Sequence, residues 1–410
     1  MPPTFETWPY MDARQFLVAL ALCALTHVAG ASDGDCRGCF DSRLGRWFKG
    51  NTHSHSIILL RGVIPHGDSG AAAVALWYRE HGYAFAVISD HNQLIDVGSP
   101  KMQRLQGDGF LLMPGVEITS DYRLWGAPNE GKRTIHTTAL GVRALPSADF
   151  EGMGPREIVS AHIERARAAG GITILNHPNY RDQISAADVL GLTGLGLFEV
   201  YNGEPTARNR GGGGRPSTDQ LWDALLTAGM RVYGVAADDA HYFKLNDFLT
   251  YERDTFALPG SGWVMVNARE LTADAIVGAL VRGEFYASTG VVLSAVRYDK
   301  ERYVVAVDVA ATRTSVAEVH VAEAAPVVVG DAPGVAIEFI AKDGVVVART
   351  NSDTAELRLA PSYGYVRARI TWVERVKTRL DAAPTLRRFV AWTQPVFLAP
   401  PSTVAANDDK

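Results

Sequence analysis

The sequence predicts an α/β fold: a parallel α/β barrel from about residue 47 to 290, followed by a C-terminal antiparallel β-sandwich over 291–400. Three observations carry this. Short apolar runs alternate with amphipathic helical stretches across the first span. Nearly every apolar run carries His, Asp, Glu or Asn at its C-terminal end or in the loop just after it, as the rim of such a barrel does. Near residue 290 the pattern shifts to short alternating strands divided by turn signals. A length of 410 residues with 47% hydrophobic content suits one barrel plus an accessory unit around a substantial core.

Ahead of the barrel, "FLVALALCALTHVAG" follows Arg14 and runs into Ala29-Gly30-Ala31. The run is short for a membrane span and ends in an A-x-A cleavage pattern, so 1–31 reads as a signal peptide, with Met11 an alternative start to Met1. The expectation is a secreted or periplasmic protein with no stable membrane span after signal cleavage. Cys23 would leave with the signal. Cys36 and Cys39 form "CRGC" with no second CxxC to complete a zinc site, so a local disulfide is expected.

The barrel elements follow in order. The first strand ends at "NTHSHS"; residues two apart on a strand share a face, so His53 and His55 aim at one spot. His66 and Asp68 come from the loop after it, reached through the apolar "IILLRGVI", which reads as a lid or as a hydrophobic loop packed on the barrel. "AAAVALWYREHGY" is a helix stopped by Gly82, and "AFAVISDHN" a buried strand ending in Asp90 and His91. "GFLLMPGVEIT" supplies Glu117, "HTTALGV" His136, "GITILNHPN" His177, "LGLFEVYNG" Asn202, and "RVYGVAADDAH" Asp239 and His241. Helices "PREIVSAHIERARAAG" and "STDQLWDALLTAG" separate the later strands, and "LTADAIVGALVRGEFYASTG" closes the barrel.

Beyond it, "AVRYDKERYVVAVDVAA", "SVAEVHVAEA", "GVAIEFIAKDGVVVARTN", "AELRLA" and "YVRARITWVE" read as sandwich strands. "PPSTVAANDDK" is a polar tail of disordered character. The glycine patch "RNRGGGGRPS" lacks the Gly-Lys-Ser/Thr of a phosphate loop and reads as a mobile loop.

Of 11 histidines, His27 lies in the signal, His81 at a helix end, His162 within a helix and His320 in the sandwich. The other seven all fall at the strand ends collected above. With Glu117, Asp239 and the loop residue they exceed the needs of one ion, so two or three divalent ions are expected. Mixed imidazole and carboxylate donors suit Zn, Mn or Fe rather than Ca.

"NTHSHS", "ISDHN", "PGVEIT", "NHP" and "DDAH" resemble the successive motifs of the PHP (polymerase and histidinol phosphatase) metallohydrolases, from about Gly50 to His241. "WYREHGYAFAVISDHN", "EVYNG", "GVAADDAH", "FYASTG" and "AWTQPVFL" further resemble the carbaryl-hydrolase-like (CehA/McbA) branch, which pairs the barrel with a C-terminal β-domain. The resemblance implies a distorted (β/α)7 barrel with a di- or trinuclear metal site. It implies a first ion on His53, His55, Glu117 and Asp239, with Glu117 bridging to a second on His136 and His177. A third would sit on His91 and His241 with a loop ligand. His66 stands where the family carries the aspartate of "SDG", so it is the expected loop ligand, with Asp68 in reserve. Asp90 is expected behind the ligands or as the catalytic proton carrier.

The donor set implies a metal-dependent hydrolase working through an activated hydroxide, and the family resemblance implies a phosphoester, mono- or diester, as its substrate. Arg208, Arg210 and Arg215 around the glycine patch, Arg181 after "NHPN", and Asn202 are the candidate contacts for an anionic substrate. A carbamate or carboxylic ester is the alternative implied at branch level, and a non-catalytic metal- or glycan-binding protein is a third. The net charge of -5 argues against nucleic acid as partner. The expected partner is a small anionic or ester molecule, and the sequence is compatible with a homo-oligomer.

Overall fold

The apolar runs form nine strands that frame the site. They are β1 (Arg46–Asn51), β2 (Phe85–Ile88), β3 (Leu111–Arg123), β4 (Lys132–Leu140), β5 (Ile172–Leu175), β6 (Leu197–Asn202), β7 (Tyr233–Ala237), β8 (Trp263–Ala268) and β9 (Phe285–Ser288). The computed structural model describes residues 39–60, 64–107, 109–123, 132–147, 154–244, 257–318, 333–376 and 384–398. The expected signal segment, "CRGC" up to Gly38, His320 and the polar tail lie outside them. Cys39 is in a disulfide. No helix among the described residues is long and apolar enough to cross a membrane.

Strands β1 to β7 pair in chain order, and β2 and β6 are buried along their whole length. Strands buried along their whole length need cover on both faces. The pairs β1–β2, β2–β3, β5–β6 and β6–β7 are parallel. The expectation of a wholly parallel barrel fails at β4, which runs antiparallel to both β3 and β5. Residues 124–131 leave too little chain for the crossover a parallel pair requires, so β3 and β4 meet as antiparallel neighbours.

Nor does the ladder close. The edge of β1 that β7 would take is occupied by β8, paired from Val264↔Gly50 to Ala268↔Arg46. The two ends of the set meet only beyond the strands, through the Ser54↔Ala240 bridge. That meeting point is where the polar residues gather.

Four helices cover the sheet: α1 (Ala71–Glu80), α2 (Pro155–Ala168), α3 (Thr218–Thr227) and α4 (Ala273–Arg282). In α2, Ile158, Val159, His162, Ile163 and Ala166 are buried, a spacing of three and four that makes one stripe. α3 starts at a capping box of Ser217 and Gln220, and α4 ends at Gly283 in the left-handed conformation.

The C-terminal strands are antiparallel as expected, but they do not stand apart. Thr385–Thr393 pairs with β9, so Tyr365–Val376, Gly334–Ala341 and Val345–Thr350 extend the same sheet. A second sheet holds Phe40–Asp41, Leu293–Tyr298, Arg302–Val307 and Thr354–Arg358. It shares one apolar cluster with the large sheet, where the Tyr303 and Phe339 rings lie 5.5 Å apart. "SVAEVHVAEA" is not a strand where it is described. Val309–Glu318 is helical, started by Asp308, whose carboxylate accepts from the Ala311 N–H at 2.9 Å.

Candidate metal centre

The segments after β1 and β7 hold each other: Asp239 N–H donates to the His53 carbonyl and His55 N–H to the Ala240 carbonyl, both at 2.9 Å. This fixes two histidines and one aspartate on facing chains. Glu117 and His136 come from inside long strands, not from strand ends. Pairing of β3 with β2 stops at Pro114, and pairing of β4 with β5 stops at Thr137. The overhanging hairpin therefore carries Glu117 and His136 over the rim. His177, two residues beyond β5, has φ 22, and Asp239 has φ 50. Both are unfavourable for residues with a Cβ, and His177 is further constrained by Pro178. Strain of this kind collects at functional sites.

Glu117 lies at the centre. Its Oε1 is 2.9 Å from His136 Nδ1 and 3.4 Å from both His53 Nε2 and His177 Nε2. Its Oε2 is 2.8 Å from His91 Nδ1 and 3.3 Å from His55 Nε2. Asp239 Oδ1 faces it, 3.1 Å from Nε2 of His53 and of His55. His241 stacks on His55 with centroids 4.3 Å apart, and His66 lies 4.1 Å from His241 and 5.2 Å from His91. The structure thus brings together His53, His55, His66, His91, Glu117, His136, His177, Asp239 and His241.

Three donor groups overlap within this set: His53, His55 and Glu117; His91, Glu117 and His136; His55, His91 and His241. The His53 and His55 Nε2 atoms are 3.1 Å apart, close to the roughly 3.3 Å between donors that share a tetrahedral ion at about 2.0–2.1 Å. Nε2 of His66 and of His241 is buried without a hydrogen-bond partner. Orphaned imidazole nitrogens are costly unless something accepts their lone pairs. The donor set fits divalent cations.

The electrostatics agree. Burial disfavours a charge on His55, yet Asp239 and Glu117 overcome it and lift the ring to about 9. Burial, with His55 and His91 nearby, lowers His66 to about 4; burial likewise lowers His136 to about 4, against the pull of Glu117. Glu117 is buried, which alone would raise it, but His136, His91 and His53 hold it well below the usual carboxylate range. Asp239 is held down in the same way, chiefly by His53 and His55. Glu117 and Asp239 stay ionised and His66 and His136 stay neutral, the states that bind metal, whereas His53, His55 and His177, raised by the same carboxylates, must give up a proton to an incoming ion.

Asp90 stands behind His55, 3.9 Å from its Nδ1, accepting from Ser56 N–H at 2.7 Å and Ser56 Oγ at 2.5 Å. Asp68 turns away from the cluster to accept the N–H groups of Phe243 and Lys244, both at 2.9 Å. It fastens the chain after His241. Asn202 donates to Asp239 Oδ2 at 3.2 Å and to Glu199 Oε2 at 2.7 Å.

The arginines are not gathered at the centre. Arg208 and Arg215 both pair with Asp182, at 2.9 and 3.0 Å, and Arg215 also donates to the Ile184 carbonyl at 2.6 Å. Arg181 lies over the Tyr180 ring, 5.0 Å from its centroid, and Tyr180 in turn packs 5.0 Å from His177. Arg210 lines a separate cavity.

Sequence reasoning missed Glu199. Its Oε1 lies 2.7 Å from His53 Nδ1 and its Oε2 accepts the His177 N–H at 2.6 Å. It missed Asn176, which donates to Glu117 Oε1 at 2.8 Å, and Asp238, which takes hydrogen bonds from Asn51, Tyr78, Ser261 and Gly262 beneath the site. A carboxylate within the otherwise apolar "LFEVYN" was the available signal for Glu199.

No family model and no curated protein matches the chain. Among solved structures it is similar to a two-domain protein containing a predicted PHP-like metal-dependent phosphoesterase from Bacteroides vulgatus ATCC 8482. The identity is 13%, the match covers 86% of this chain and 96% of that one, and the TM-score is 0.39.

Proposed function

We propose that the protein is a metal-dependent hydrolase of the PHP type, cleaving a phosphoester, mono- or diester. One observation carries the reading: seven histidines gather with Glu117 and Asp239, and five of them form three overlapping donor groups, two of which share Glu117. His53, His55, Glu117 and Asp239 would hold one ion, His136 and His177 with Glu117 a second, and His91, His241 and His66 a third. Such ions, when bound, lower the pKa of a coordinated water and neutralise charge on the oxygens of an in-line displacement.

The chain's own residues supply position and order. Glu199 and Asn176 fix His53 and Glu117 from outside the donor set. Burial raises Asp90 above the usual carboxylate range, so it is suited to hold a proton beside His55. Tyr180 packs against His177 with ring centroids 5.0 Å apart. The disulfide at Cys39 accords with a protein exported to an oxidising compartment.

A second reading, hydrolysis of an aryl carbamate or ester, is favoured by the hairpin of Ile58–Leu60 and Ile64–His66, which sets exposed Ile57 and Leu59 near His66. The arginines held by Asp182 point the same way. Metal-replete protein offered an aryl phosphate diester and an aryl carbamate side by side separates the two, with His177→Ala as the control. Turnover of the phosphate alone supports the first reading and turnover of the carbamate alone the second. Inactivity on both counts against a hydrolase of either kind.

A further inference from the structure

Asn51 ends β1 and Asp238 follows β7, the two strands between which the ladder stays open. Their side chains bridge that gap. Asn51 Nδ2 donates to Asp238 Oδ2 at 2.9 Å, and Asn51 Oδ1 accepts the Asp238 N–H at 3.3 Å and the His53 N–H at 3.1 Å. One amide therefore holds the chain on the way into His53 and the chain on the way into Asp239. On its other side, Asp238 Oδ1 accepts the N–H groups of Ser261 at 2.7 Å and Gly262 at 2.9 Å, just ahead of β8, which itself pairs with β1. Tyr78 of α1 completes the set by donating to Asp238 Oδ2 at 2.9 Å.

Asn51, Asp238 and Tyr78 are fully buried. A carboxylate and an amide in such a place are costly unless each contact is matched. Here they are matched: Asp238 Oδ1 and Oδ2 and Asn51 Oδ1 all meet donors. Apolar side chains could fill the same space, but they would leave two unpaired strand ends free to slide. Fixing a register is the best-attested use of a buried polar group. The register matters at this point, because His53 Nε2 and Asp239 Oδ1 face each other at 3.1 Å just beyond the pair.

We propose that Asn51 and Asp238 are a positioning pair. Their hydrogen bonds stand in for the missing β1–β7 ladder and set the spacing of His53 and Asp239, and so the donor spacing of the ion those two residues would share. Neither side chain belongs to the donor set. The pair's role rests on the metal-binding reading above and deepens it.

Exchanging the two side chains tests it. Asn51→Asp sets a second carboxylate against Asp238. Asp238→Asn makes donor meet donor in either orientation of the new amide, and Asn51 cannot turn over to relieve it because its Oδ1 holds two N–H groups. Both changes in one chain swap carboxylate and amide, leaving every acceptor with a donor and the Tyr78 hydroxyl donating to the carboxylate at position 51. Ion affinity is read by competition with a chromophoric chelator, and stability by melting of the chelated protein. Each single variant should bind one ion about 10–100-fold more weakly, and the double variant should recover to within about threefold of the wild type. Tyr78→Phe removes a hydrogen bond from the same network without parting the pair. It should lower the melting temperature and keep the affinity, as a purely structural contact would. Where a single variant does not fold, the double variant and Tyr78→Phe still decide. Affinity unchanged in the single variants, a folded double variant that does not recover, or an equal loss in Tyr78→Phe would each overturn the positioning role alone. A wild-type chain that holds no ion would overturn it together with the metal-binding reading.

Discussion

His53 is gripped from behind by Glu199: Oε1 of the carboxylate lies 2.7 Å from Nδ1 of the ring, while Nε2 points at Glu117 and Asp239. The carboxylate sets the tautomer and orientation of a ligand without joining the donor set. Glu199→Gln should therefore leave the fold intact and weaken metal affinity about 10–100-fold. A competition titration against a chromophoric chelator measures it. Unchanged affinity would show that the contact does not orient the ring.

Gly67 has φ +89, and a Cβ there would lie 3.1 Å from the Ser56 carbonyl oxygen and 3.2 Å from that of His241. Gly67→Ala should cost about 1–3 kcal/mol through backbone strain. Because His66 and His241 both move with that backbone, the variant should also lose affinity for one ion while keeping the others. Metal content per chain, read with the melting temperature, checks both parts.

Arg367 is fully buried with its guanidinium on Asp223, at 2.9 and 2.8 Å, and on Asp219 at 2.9 Å. This network pins α3 to strand Tyr365–Val376. Removing one partner of a buried charge is costly because the other is stranded. Asp223→Ala should lower unfolding free energy by about 3–5 kcal/mol. A loss of unfolding free energy below a quarter of that, read from denaturant curves, would mean that Asp219 alone satisfies the arginine.

His162 packs inside α2 between Ser120 Oγ at 2.8 Å and Thr137 Oγ1 at 2.9 Å. Burial, helped by His136 and Arg165, lowers its pKa from 6.5 to about 3. The unfolded chain thus takes up this proton near 6.5 and the folded chain only near 3. Its share of stability is present above that range and is lost as pH falls through 6.5, about 2 kcal/mol by pH 5. His162→Gln should be less stable at neutral pH, with a gap to the wild type that narrows on acidification. Melting curves at pH 7.5 and 5 decide it; a constant gap would show that the ring is not held neutral.

Much of the site could be read in the sequence because its chemistry breaks an apolar rhythm. The His53–His55 alternation, "ISDHN" and "DDAH" each put polar atoms where a buried strand gives out, and the structure gathers those residues. His81 and His162 were separable for the same reason: one caps α1 against Trp77 and the other lies mid-helix. What escaped was long-range pairing. Nothing local in "HTTALGV" reveals that β4 reverses direction, or that His136 hangs beyond its partner strand. The edge of β1 is taken by β8, more than 200 residues later, so the ladder's failure to close is invisible in either segment. Glu199 escaped because its role is set by His53, from another strand. Asp68 and the arginines show the converse, since a polar residue near a motif serves the backbone as readily as the site.

The central claim is that this cluster holds more than one divalent ion, with Glu117 shared between them. Elemental analysis of the purified full chain, dialysed free of loose metal, against Glu117→Gln tests it most directly. The account predicts two to three ions per wild-type chain and at most one in the variant, with the fold retained by circular dichroism. Fewer than half an equivalent in the wild type, or equal content in both proteins, would contradict it.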